Sequence, residues 1–79
     1  MDLADKFVQF AESGNQQRLK SKDGRLLQGW IMEITDDALL ISTGAGEKGQ
    51  DVWLKLIDID LTSLAYWHSQ SQQWQAFTL

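Results

Sequence analysis

The chain has 79 residues and a mass of 9.0 kDa, with seven Lys and Arg against eleven Asp and Glu, a net charge of −4 and 43% hydrophobic residues. That is room for one domain, residues 1–79, of ordinary globular composition rather than disorder. The lack of Cys excludes disulfide and thiol chemistry, and a single His excludes His/Cys zinc sites.

No apolar run approaches the ~18 residues of a membrane span, so no membrane partner is expected. Met1-Asp2-Leu3-Ala4-Asp5 lacks the basic and apolar parts of a signal peptide, and the expected location is cytoplasmic. A core this small rarely supplies more than ~3–5 kcal/mol. With disulfides and zinc excluded, self-association is the staple left open.

Asp2 predicts a helix cap, with Asp5 in the first turn. Leu3, Phe7, Phe10 and Ala11 follow at helical spacing and make one apolar stripe. Gly14-Asn15 closes this segment, residues 1–15. Residues 16–22 then alternate, with Arg18, Lys20 and Lys22 on one side. Asp23-Gly24 predicts a hairpin turn. Residues 25–34 read as a long strand, and Gly29 inside it predicts a sharp bend or bulge. Thr35-Asp36-Asp37 is a tight turn, and 38–43 an apolar strand centred on Leu39-Leu40-Ile41. Residues 44–50 read as a Gly-rich loop. Residues 51–59 set Val52, Leu54 and Leu56 against Trp53, Lys55 and Ile57. Strands at 61–67 and 73–78, joined by Ser69-Gln70-Ser71, complete the set. One helix and a run of short antiparallel strands, one strongly bent, predict a mainly β fold of the small-barrel type.

Here the chain resembles the Sm-like superfamily of Sm, LSm and Hfq proteins, over roughly residues 1–67. The strongest part is Asp23-Gly24-Arg25-Leu26-Leu27-Gln28-Gly29-Trp30-Ile31, similar to the first Sm motif with its two spaced glycines. Leu27-Gln28-Gly29 looks like the Hfq segment. Ile34 falls on the family's large apolar position and Leu39-Leu40-Ile41 on its third strand. Leu61-Thr62-Ser63-Leu64 keeps the paired apolar spacing of the second motif. The resemblance implies a helix (1–15), a strongly bent five-stranded antiparallel SH3-type barrel (16–67) and, beyond the family's core, an added C-terminal strand in the extension 68–79. It also implies a homo-oligomeric ring of about five to seven subunits. The fourth strand of one subunit, near 51–59, would pair with the fifth of its neighbour, near 61–67. The extension would cover a barrel end or let two rings stack.

RNA is the partner that the resemblance implies; DNA is not expected. The sequence departs from the family where the family binds RNA. The loop positions that carry Asp and Asn in Sm and LSm proteins are Thr35 and Leu39. Those that carry Gln and Phe in Hfq are Asp36 and Asp37, and the basic pair of the second motif falls at Asp58-Ile59. Carboxylates repel phosphate, and a ring multiplies the effect. The basic cluster Arg18, Lys20, Lys22 and Arg25 therefore becomes the alternative RNA-binding surface, against a plain solvated strand face. The other reading is a ring-shaped protein-interaction scaffold that does not bind RNA.

The remaining motifs favour neither a cofactor nor catalysis. Gly44-Ala45-Gly46-Glu47-Lys48-Gly49 matches a dinucleotide fingerprint but runs into a strand, whereas that site needs a helix. Asp36-Asp37 and Asp58-x-Asp60 are too few carboxylates for a cation cage, so turn solvation is the better reading. His68 has no nucleophile arrangement beside it in sequence. The expectation is no enzyme, no cofactor and no metal. Trp30, Trp53, Trp67 and Trp74 read mainly as core or subunit interface, against base stacking by exposed rings, with Trp53 the one suspected of exposure or interface.

Overall fold

The computed structural model describes residues 2–44 and 50–79. The Gly-rich motif at 44–49 lies almost wholly outside them.

Asp2 caps the helix α1 (Leu3–Ala11), its carboxylate accepting from the Asp5 amide at 2.9 Å. The expected stripe is the buried side. Phe7 and Phe10 have no solvent exposure and meet edge to face, ring centroids 6.3 Å apart. Burying each is worth ~1.5–3 kcal/mol, which holds a helix too short to persist alone. The helix stops at Ala11, and Gly14 then turns the chain with φ +61°.

Six antiparallel strands follow: β1 (Gln17–Lys20), β2 (Leu26–Ile34), β3 (Ala38–Ser42), β4 (Asp51–Lys55), β5 (Ala65–His68) and β6 (Gln73–Ala76). They form one open sheet in the order β4-β3-β2-β1-β5-β6. The fold is thus mainly β with one N-terminal helix, and the C-terminal extension is a strand as expected.

The bend expected at Gly29 marks a change of partner. Residues Leu26–Gly29 pair with β1, while Trp30 pairs with Ser42 of β3, and a register shift follows between Ile31 and Glu33. Leaving out a side chain at Gly29 lets the Ser42 carbonyl close against the strand.

The expected strands are shorter than the alternation suggested, and two of them, 51–59 and 61–67, give way to turns. Leu56 and Ile59 are both buried, and that spacing of three belongs to a turn rather than a strand. The chain accordingly leaves β4 at Lys55 and makes a 3₁₀ turn, Leu56–Asp58, with the Leu56 N–H donating to the Asp37 carbonyl at 2.9 Å. A second turn, closed by the Ser63 N–H on the Asp60 carbonyl at 3.0 Å, delays β5 to Ala65.

The family-type contact between subunits would need an open edge on β5. In this chain β5 is paired on both sides, by β1 and by β6. The sheet's edges are instead β4 and β6.

The core is aliphatic, with Leu19, Leu39, Ile41 and Ile59 fully buried around the two Phe rings. None of the four Trp belongs to it. Trp53 is 53% exposed, as suspected, and Trp30 is 37% exposed.

Candidate nucleic-acid interface

The residues singled out from the sequence fall into three places. The first is the outer face of β1. Gln17, Leu19 and Ser21 point inward and are buried, so Arg18, Lys20 and Lys22 point outward together. This face continues across the sheet, because Arg18 sits opposite Gln28 of β2 and Ala65 of β5. One row further along, Trp67 of β5 sits opposite Trp74 of β6. The Arg18 guanidinium lies over the Trp74 ring, 4.6 Å from its centroid. Trp67 meets Trp74 edge to face, centroids 5.6 Å apart and planes at 69°. A hollow of ≈ 230 Å³ beside them is lined by Gln16, Gln28, Trp67 and Trp74.

The second place is the β1–β2 hairpin. Gly24 takes φ +98°, and the Ser21 and Arg25 backbones bond at 2.9 Å beneath it. The Ser21 hydroxyl donates to the Asp23 carboxylate. Lys22 and Arg25 line a cavity of ≈ 390 Å³ with Asp23 and Asp58. Charges of both signs alternate here, so this cavity is no dedicated phosphate site. Ile59, expected beside Asp58 in the binding loop, is a core residue with no exposure. It faces inward because the 3₁₀ turn rotates it under the sheet.

The third place holds the β2–β3 turn. Thr35 is a structural cap: its hydroxyl accepts from the Ala38 N–H at 3.1 Å. Asp36 and Asp37 border a groove of ≈ 440 Å³, with Leu3, Ala4, Leu56 and Ile57 as its apolar lining and Asp2 and Lys55 beside them.

Two carboxylates near the basic face sit below their usual range. Asp60 is held down first by the Thr62 hydroxyl, at 2.7 Å, then by the Thr62 N–H at 3.0 Å, with Lys20 and Lys22 adding charge attraction. Asp23 is held down first by the Ser21 hydroxyl, with help from Arg25. A depressed folded-state value means that the folded protein holds its proton less tightly than the unfolded chain. The stabilisation is therefore complete above the ordinary carboxylate value of 3.8 and fades as pH falls through the lowered values. Neither group is buried, so solvent screens these contacts and the effect is small. Urea melts at pH 6 and pH 3 should show a shallow acid loss, and Asp60→Asn should make that loss shallower still.

His68 finds its partner three residues on, in the turn Ser69-Gln70-Ser71. Its Nδ1 lies 2.7 Å from the Ser71 hydroxyl and accepts the Ser71 N–H at 3.2 Å. The backbone donor marks this as the clasp of the β5–β6 turn. Among the described residues no cluster of three or more His, Cys, Asp or Glu is placed to hold a metal. Nor is any helix among them long and apolar enough to cross a membrane.

Trp67, Trp74, Gln16 and Gln28 were not singled out from the sequence as a site. The available signal was the alternation of 73–78, which put Trp74 on one side of a strand otherwise rich in Gln.

Comparison with protein-family models, with curated proteins and with solved structures gives no match to this chain.

Proposed function

We propose that the protein is a divergent, Sm-like, ring-forming barrel protein that binds single-stranded RNA on a non-standard surface, the outer face of β1, β5 and β6. The observation that carries this reading is the Arg18 guanidinium stacked on Trp74, on the same face as Lys20 and Lys22. A cationic track beside aromatic rings is what a flexible polyanion with stackable bases requires. The Sm-like part rests on the two-glycine motif around the β1–β2 hairpin and on the bent β2 that follows it. The ring part rests on the open edges of β4 and β6, which offer unpaired backbone groups to a neighbouring copy. No catalytic role is part of this reading, and the proposed location is cytoplasmic.

A second reading has its own observation. The groove beside Asp36 and Asp37 combines an apolar lining with carboxylates, which suits a protein partner and repels RNA. A ring-shaped interaction scaffold would use that groove and leave the basic face merely solvated.

One comparison separates the two. Native mass spectrometry at low salt, with a mixed pool of short RNA oligonucleotides, should give a discrete oligomer that gains RNA. Lys20→Glu with Lys22→Glu should lower the affinity for a labelled oligonucleotide by about tenfold or more in fluorescence anisotropy, and flatten its salt dependence. An oligomer that stays bare with every pool would reject the RNA reading in favour of the scaffold. A monomer would reject the ring.

A further inference from the structure

We infer that the hollow between Trp67, Trp74, Gln16 and Gln28 is a pocket for a single unpaired nucleobase, with Arg18 as part of its stacking wall. This rests on the RNA reading above and deepens it from a charged face to a defined site.

Four features point to a base. Trp67 and Trp74 are only half-buried, although Trp is among the most favourable side chains to bury. They meet edge to face, planes at 69°, so neither ring lies flat on the other. The Arg18 guanidinium adds a planar cation to the wall, and bases stack on guanidinium planes as well as on rings. Gln16 and Gln28 line the same ≈ 230 Å³ hollow, and each amide offers one acceptor and two donor hydrogens. Such amides match the mixed donor and acceptor edge of a base, which phosphate lacks. Lys20, at the end of β1, and Lys22, in the turn beyond it, continue outward from Arg18, where the flanking phosphates of a strand entering the pocket would lie.

The pocket exists because β6 is present. Trp74 belongs to β6, and its partner Trp67 gains that neighbour only through the β5–β6 pairing. The C-terminal strand therefore has a use beyond covering the β5 edge.

The test uses the full chain carrying Trp30→Phe and Trp53→Phe, both at exposed positions, so that Trp67 and Trp74 alone report. It is titrated with a labelled hexauridine, a labelled hexaadenosine and a hexamer of abasic ribose phosphates. Both base-bearing hexamers should quench the tryptophan emission. The abasic hexamer should bind at least about fivefold more weakly in anisotropy and leave the emission unchanged. Trp74→Leu should remove this distinction, so that all three bind alike. Gln28→Ala, at an exposed position, should narrow it and keeps the test decisive if Trp74→Leu fails to fold. Equal binding of abasic and base-bearing hexamers, without quenching, would overturn the pocket and leave the RNA reading standing. No binding of any hexamer at low salt would overturn both.

Discussion

Gly29→Ala should be the most disruptive small substitution in the chain, costing about 3 kcal/mol or more, at or above the upper end of ordinary overpacking. The β-carbon it adds would fall onto the Ser42 carbonyl oxygen, with the rest of the Ser42–Thr43 backbone close behind. These are backbone atoms of a paired strand, so they cannot swing aside as a side chain could. Relief requires β3 to separate from β2 where Trp30 and Ser42 pair, which is where β2 leaves β1 for β3. A domain of this length holds about 4–12 kcal/mol in total, so the loss takes a large share of it. Thermal melting followed by near-ultraviolet circular dichroism should drop by about 10 °C or more. Gly24→Ala is the matched control. Nothing lies within 4 Å of its added carbon, and only the φ of +98° opposes it, so its cost should be nearer ~1 kcal/mol. Equal melting shifts for the two variants would show that turn strain, not the approach of Ser42, is what Gly29 relieves.

The same glycine shows how much was legible in advance. A Gly inside an apolar strand signals close backbone approach whatever the fold, so the bend could be placed without knowing the partner strand. The helix cap, the Phe stripe, the β1–β2 and β2–β3 turns and the added C-terminal strand were readable for the same reason: each is a local pattern with a local cause. The end of β4 was not. Val52, Leu54 and Leu56 keep strand alternation, and only Ile59 entering the core converts the last part into a turn. That is a tertiary requirement, set by what the Leu56 and Ile59 side chains find beneath the sheet.

The candidate site divides along the same line. That Arg18, Lys20 and Lys22 share a face follows from period-two geometry. That Trp67 and Trp74 complete that face does not, because it depends on β6 folding back onto β5 with Trp opposite Trp. Reading tryptophans as core missed this, because the aliphatic residues and two Phe already fill the space under a small sheet. The rings were left for the outer surface, where a ligand can use them.

Phe10→Ala should cost about 3–5 kcal/mol, the range for removing a fully buried aromatic side chain, and leave the chain largely unfolded at 37 °C. Phe10 has no exposure, and it is also a link between the two ends of the chain. Its ring meets Phe7 on its own helix and lies 5.2 Å, centroid to centroid, from Phe77 just beyond β6. Phe77 in turn donates its N–H to the Leu64 carbonyl at 2.9 Å, which helps hold β6 against β5. Removing Phe10 therefore opens a cavity under the helix and frees the residue that fastens the strand carrying Trp74. Because the two rings share one contact, Phe77→Ala should add less in the Phe10→Ala background than alone, a coupling of about 0.5 kcal/mol or more in urea melts. Phe77 is only half-buried, so its own loss should be milder and local: amide exchange rising first in β6, with α1 still protected. If the pocket reading is right, that variant also loses base-dependent RNA binding while its helix stays folded. Full additivity of the two substitutions would mean that the helix and the C-terminal strand are stabilised independently, and that α1 has no hold on the face that carries Trp74.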